Sequence, residues 1–552
     1  MADKCSRRRF WLSFSLILAG AAALRFIQIG RLEMWLDECC SVLTAFSPEG
    51  IIKALRYDNS PPLYFFMLKT WMAAFGAGAV GVRALSAVAG VLTVAVLGLW
   101  LRDFGMPRRV CLWAMLLMTL APLQIHYSQE TRMYAPATLF VVCACWGLTR
   151  ALRVARSGGV SVSSMMTPWC AHGAFVLASL LTHDLGLVFI PAYWLAARIM
   201  RPPRGAFGAL LAAHAVAAAL YLPWLAHVIQ QPKTDALAWA APAWRATSSW
   251  LFIPLSLEAL GVGGWLPPYI RIPSPAPAVC AASSAWFILL GVCAAAQWWR
   301  KRGYSRQIAV FGILGAAPLV FLFVYSVLWK PVYVVGRYDV LSQPFYLSIM
   351  AVGAHVLQLR LALRSRLLAV AALWGVTAAL ALAALAPRYA AAPPGLATHP
   401  QGARGEYLAR HAEPDDLVVC LDLEGAKIAY QMLLRGIRAG LVTFPFETRR
   451  HFGWADAEGS LKGDGPEKLR AEAQSIMNLF KPPAARHKRL WIFQPPASRL
   501  ADGAGPGGIR RGGRARIADI LLSTAKDNGM IPAKLSPDNL GILVMIPGEI
   551  QR

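Results

Sequence analysis

Long apolar runs recur through the first 390 or so residues, at roughly 10–29, 82–101, 110–126, 134–150, 168–182, 184–198, 206–229, 278–299, 307–328, 339–358 and 367–386. A helix needs about 20 mainly apolar residues to cross a bilayer, so the pattern predicts about eleven transmembrane helices. The runs at 168–182 and 184–198 form a close pair with almost no loop between them. A shorter apolar stretch at 63–75 follows Ser60, Pro61 and Pro62. Prolines suit the first turn of a helix, where a missing N–H costs little. The stretch is too short to span and predicts an interfacial or re-entrant helix against the bundle.

Beyond residue 387 the pattern changes. Short apolar runs at 417–421, 440–444, 490–493 and 542–546 read as strands, with helical patterns at 425–436 and 466–479 between them. The Gly- and Arg-rich stretch 503–513 reads as a loop. No internal repeat is visible. The expected architecture is an α-helical polytopic membrane unit over 1–387, with interfacial helices, and a small soluble α/β domain over 388–552.

Composition agrees. Of the 552 residues, 57% are hydrophobic and only 15% charged, against about a quarter charged in soluble domains. The net charge of +26 would point to nucleic acid in a soluble protein. Here many basic residues collect at the N-terminus and in short loops between apolar runs: Lys4/Arg7/Arg8/Arg9, Arg102/Arg108/Arg109, Arg150/Arg153/Arg156, Arg198/Arg201/Arg204, Arg300/Lys301/Arg302/Arg306 and Arg360/Arg364/Arg366. With the spans above, all six clusters fall on one side, which the positive-inside rule makes cytoplasmic. The charge therefore reads as topology and lipid contact, not nucleic-acid binding. The N-terminus resembles a signal peptide, with Ala21–Ala23 as a cleavage-like site, but its apolar run continues to about Ile29 and reads as an uncleaved first helix. Arg25 would then face protein or snorkel. The ten cysteines show neither zinc nor disulfide spacing, and Cys420 is alone in the tail.

Four polar groups fall at the outer boundary: Asp37-Glu38, His126 to Tyr134, Thr182-His183-Asp184, and Gly336-Arg337-Tyr338-Asp339. Adjacent carboxylates cannot serve one spot, because helical neighbours point about 100° apart. One of Asp37 and Glu38 can face a reaction centre while the other caps a helix or holds a basic residue. A partly desolvated carboxylate suits a general base. Arg132 and Arg337 suit a lipid phosphate, which guanidinium binds bidentately. Tyr134 and Tyr338 read as interface aromatics and substrate contacts. His126 and Glu130, four apart, are the candidate ligands for an optional divalent metal, with His183 and Asp37 nearby.

Leu36-Asp37-Glu38, Asp58-Asn59-Ser60-Pro61-Pro62-Leu63-Tyr64 and Arg83-Ala84-Leu85-Ser86-Ala87 resemble the opening of bacterial membrane glycosyltransferases of the GT-C class, relatives of protein O-mannosyltransferases and lipid A aminoarabinose transferases. Tyr127 to Tyr134 is similar to a second stretch of that family, and Leu181-Thr182-His183 and Gly336-Arg337-Tyr338 to shorter ones. Asp184, where relatives often carry Tyr, and Asp339 depart from the pattern. The resemblance implies a sugar donor on a polyprenyl phosphate at the outer face of the cytoplasmic (inner) membrane. It implies attack by an acceptor hydroxyl with inversion, Asp37 taking the proton with Glu38 beside it. Arg132 and Arg337 would stabilise the leaving phosphate, and Tyr134, Tyr338 and His183 would line the substrate. The acceptor would be a protein, lipid or glycan. The competing classes are a lipid-linked sugar flippase, which would need polar residues along its spans, and a non-catalytic scaffold of envelope assembly.

Overall fold

The computed structural model describes residues 2–547 apart from 59, 158–161, 232–240, 268–269, 271–273, 301–302, 362–365, 391–400, 422–423, 447–462, 481–487, 494–510 and 534–541. Asn59 and most of the 503–513 loop thus lie outside the described residues. Among the described residues, eight helices are long and apolar enough to cross a membrane: Arg7–Phe26, Ala79–Asp103, Tyr134–Ser157, Ala206–Ile229, Pro277–Trp299, Ser305–Leu328, Asp339–Leu361 and Val370–Tyr389. The chain is a multi-pass membrane protein.

The other three expected spans differ in form. The run at 110–126 is two helices, Arg108–Leu120 and Pro122–Ser128, bent by 63° and together a ninth candidate span. The break follows from Pro122, which has no N–H to continue the first helix. Helix Gly186–Ile199 has 14 residues, about 21 Å at 1.5 Å per residue, too short to cross alone. Most of the run at 168–182 lies in helix Val162–Leu180, which packs along Tyr134–Ser157. The predicted short helix is present as Leu63–Phe75, opened by Pro62 and ended at Gly76, whose φ of 76° favours glycine.

Arg25 faces protein, buried completely. Its guanidinium donates to Met118 O at 3.0 Å, Thr119 O at 3.4 Å and Ser128 Oγ at 3.2 Å. It therefore holds carbonyls that the Pro122 break leaves without a helical donor, in a region where water cannot satisfy them. Gly90 is the floor of this contact, since a Cβ there would lie 2.1 Å from Ser128 Oγ.

The C-terminal part forms a five-stranded sheet of β1 (Leu417–Leu421), β2 (Gly440–Phe444), β3 (Leu490–Phe493), β4 (Met530–Ala533) and β5 (Ile542–Pro547), in the order β2-β1-β3-β5-β4. β1 pairs in parallel with β2 and β3, while β5 runs antiparallel to β3 and β4. Its strands are nearly continuous apolar runs because both faces are covered, by two separate apolar clusters. Helix Glu424–Arg435 ties this part to the bundle. Ala426 and Tyr430 join the bundle's apolar core, and Tyr430 Oη donates to Ala77 O at 3.0 Å. That helix packs on Leu36–Ala45, the helix that carries Asp37. Replacing Tyr430 with Ala removes a buried ring and should cost about 3–5 kcal/mol, measured as a lower thermal midpoint of the solubilised protein.

Candidate active site

Helix Leu36–Ala45 begins after Trp35 and presents Asp37 and Glu38 in its first turn, where the helix dipole favours negative charge. The two carboxylates diverge, as neighbours on a helix must. Glu38 is fully buried, whereas Asp37 keeps 22% of its side chain exposed.

Glu38 is held on both carboxylate oxygens by protein donors. Arg83 Nε and Nη2 each reach one of its oxygens at 2.7 Å, a bidentate fork. Its Oε1 also accepts the Thr131 N–H at 2.9 Å, and its Oε2 the Trp35 N–H at 3.3 Å. Arg83 donates further to Ile29 O, Leu32 O and Glu33 O. This pair therefore fixes the entry to the Asp37 helix and the start of the 131–134 turn together.

Asp37 points away from this pair and meets cations. Arg337 Nη2 lies 3.0 Å from its Oδ2, and Arg132 Nη2 lies 3.9 Å from the same oxygen. Oδ1 has no protein partner among the described residues. Arg132 is seated by Ser41 Oγ at 3.2 Å and Asp37 O at 3.4 Å. Arg337 is aimed by Tyr134, whose Oη accepts its Nε at 2.9 Å, and its guanidinium lies 5.6 Å over the Tyr338 ring. Burial opposes the charge on both arginines, but the Asp37 carboxylate and neighbouring tyrosines hold their proton affinity above the ordinary value. Both remain guanidinium ions.

His183 completes one wall. Its ring lies 5.6 Å from that of Tyr134 and 5.9 Å from that of Tyr338. Nδ1 accepts the Leu185 N–H at 3.2 Å, which leaves Nε2 to carry the proton of the neutral ring. Burial first, then Arg132 and Arg337, lowers its pKa to about 3. The imidazole is thus neutral throughout the physiological range. A pH–rate profile between pH 5 and 8 should contain no limb assignable to His183, and His183→Gln should leave the shape of that profile unchanged.

Hydrogen bonds stitch the sequence motifs into this one place. Leu63 N–H donates to Leu181 O at 2.8 Å, Ser86 Oγ to Arg132 O at 3.2 Å, and Tyr127 Oη to Gly336 O at 2.7 Å. Asp339 is buried and accepts from the Gly336 N–H at 2.9 Å and from Ser256 Oγ. It closes a turn in which Gly336 has a φ of 74°, and so sets the direction of Arg337 beside it. Ser41 escaped the sequence reading, although it stands four residues after Asp37 on the same helical face.

The metal candidates lie elsewhere. His126 Nε2 and Glu130 Oε1 pair with one another at 3.1 Å, and among the described residues no group of three or more His, Cys, Asp or Glu comes together. At Asp37 two guanidinium ions already occupy the field a divalent cation would need. The donor set here suits an anion.

Residues 57–197 match the family model described as dolichyl-phosphate-mannose-protein mannosyltransferase. The structure is similar to ArnT from Cupriavidus metallidurans bound to undecaprenyl phosphate, with a TM-score of 0.59, 15% identity and 97% of each chain covered. It is also similar to the archaeal oligosaccharyltransferase AglB from Archaeoglobus fulgidus in complex with an inhibitory peptide and a dolichol-phosphate, at TM-score 0.54 and 13% identity, covering 97% of this chain and 74% of that one. A further structure of the Archaeoglobus fulgidus oligosaccharyltransferase, in complex with Zn and sulfate, matches at TM-score 0.55 and 13% identity over 89% of this chain and 69% of that one. No curated protein matches in sequence. The chain accordingly shares its fold with these membrane glycosyltransferases, and its residues 57–197 are similar to the protein mannosyltransferase family.

Proposed function

We propose that this protein is a glycosyltransferase that moves a sugar from a polyprenyl-phosphate donor to an acceptor hydroxyl, with inversion. The observation that carries the reading is the setting of Asp37, a partly exposed carboxylate 3.0 Å from Arg337 and 3.9 Å from Arg132. The donor's phosphate enters toward the two guanidinium ions and competes with Asp37 Oδ2 for them. Oδ1, which no protein group among the described residues engages, takes the proton of the acceptor hydroxyl as its oxygen attacks the anomeric carbon. The bond from that carbon to the phosphate oxygen breaks, and the charge left on the lipid phosphate falls on Arg132 and Arg337. His183, Tyr134 and Tyr338 offer aromatic faces and polar edges to the sugar. Glu38 positions Asp37 through Arg83 and takes no proton.

The site faces the extracytoplasmic side of the cytoplasmic membrane in this reading, because the basic clusters collect at the other end of the bundle. Residues 1–387 form the catalytic unit, and 388–552 an extracytoplasmic domain that buttresses the Asp37 helix. Structures similar in fold contain undecaprenyl phosphate and dolichol-phosphate, which supports the lipid class of the donor. Purified protein incubated with a polyprenyl-phosphate sugar and an acceptor extract should release free polyprenyl phosphate and label the acceptor. A flippase or scaffold would release none, and that result would remove the transferase reading.

A further inference from the structure

At the far end of the bundle from Asp37 lies a cavity of about 350 Å³. Arg83 and Asp103 stand near opposite ends of one helix, Ala79–Asp103, which separates the two sites by about 30 Å at 1.5 Å per residue. Four segments distant in sequence converge on this cavity and bring Asp103, Arg153, Arg156, Arg201 and Arg306 to its wall. Charge here is out of balance. Asp103 is shared by Arg150 at 3.3 Å and Arg153 at 3.5 Å, and it also accepts from Trp146 Nε1 at 2.7 Å. Arg156 donates to the backbone carbonyls of Met200 and Arg201. Among the described residues no carboxylate meets Arg156, Arg201 or Arg306. Arg201 also holds a φ of 53°, a left-handed conformation that costs a non-glycine residue energy.

Topology alone asks only that basic residues lie near the ends of spans, on the correct side. It does not ask that three guanidinium ions from separate loops and helices line one hollow whose acidic wall residue, Asp103, is already taken by Arg150 and Arg153. Like charges so arranged repel unless an anion lies between them. Guanidinium forks match phosphate oxygens. The ends of spans Ala79–Asp103, Tyr134–Ser157 and Ser305–Leu328 frame the cavity, which sets it at headgroup level, and Phe104 and Met200 add apolar surface. We infer that this cavity binds a phosphate headgroup of an anionic membrane lipid.

The test uses the full chain in neutral detergent, titrated with dioctanoyl phosphatidylglycerol, with dioctanoyl phosphatidylcholine and with inorganic pyrophosphate. Phosphatidylglycerol should bind saturably, one per protein, and Arg201→Gln/Arg306→Gln should weaken it at least tenfold. Arg7→Gln/Arg8→Gln, an equal loss of charge away from the cavity, should leave binding unchanged. If the double cavity variant gives no folded protein, Arg306→Gln alone replaces it, since that side chain is exposed in a first helical turn. Equal binding of pyrophosphate with the same dependence on Arg201 and Arg306 supports the phosphate site and assigns its ligand to solution. Unchanged phosphatidylglycerol binding in the cavity variant overturns the inference. So does equal weakening by the control pair, which would mean general attraction between charges.

Discussion

Asp37→Asn should lower the rate of sugar transfer by roughly 10²- to 10⁴-fold, the usual contribution of a placed general base. The variant should still insert and fold, because Asp37 is partly exposed and the helix it begins is held by Glu38 and Arg83. Its second effect separates this account from simple damage. Asn carries no charge, so Arg132 and Arg337 lose the carboxylate that they face in the parent. Polyprenyl phosphate should therefore bind the variant at least as tightly as the parent, while kcat collapses. Steady-state kinetics with a fluorescent or radiolabelled donor, beside direct binding of the lipid phosphate, reads both quantities. Equal losses in binding and turnover would instead describe a distorted site.

The second large effect concerns the neighbouring carboxylate. Arg83→Met leaves Glu38 buried without its Arg83 counter-ion, and Glu38→Gln leaves Arg83 buried without its carboxylate. Removing one member of a buried pair costs about 3–5 kcal/mol, and here further hydrogen bonds to Ile29, Leu32, Glu33 and Thr131 are disturbed. Each single variant should show a sharply lower thermal midpoint in detergent. The double variant Arg83→Met/Glu38→Gln carries no uncompensated charge and should recover part of that loss. A non-additive cycle of this kind identifies Glu38 as a structural anchor. Additive effects would mean that the two groups act separately.

Several parts of this architecture were legible because hydropathy and proline leave strong local marks. The helix Leu63–Phe75 begins and ends where Pro62 and Gly76 place its limits. The bend between Leu120 and Pro122 carried the same kind of mark, yet the apolar run across it concealed the break. Four strands were readable as short apolar runs, while Met530–Ala533 was not, since Pro532 argues against a strand. The sheet accommodates it at an edge, paired with β5 alone, where a missing N–H does least harm.

The site itself was legible in its parts but not in its connections. The divergence of Asp37 and Glu38 follows from helical geometry. Which one would be anchored, and by what, depends on Arg83, a residue 45 positions away. Arg337 reaches Asp37 across 300 positions, and no periodicity announces such a contact. Resemblance to known glycosyltransferases supplied the candidates, and packing supplied the distances. Asp339, a departure from the expected motif, has a physical explanation in the Gly336 turn it closes.

The most direct test is a density map of the protein with bound polyprenyl phosphate. The lipid phosphate should lie against Arg132 and Arg337, within about 3 Å of a guanidinium nitrogen, with the Asp37 carboxylate turned toward the space beside it. A phosphate bound elsewhere in the bundle, with Asp37 still locked to Arg337, would contradict the proposed chemistry.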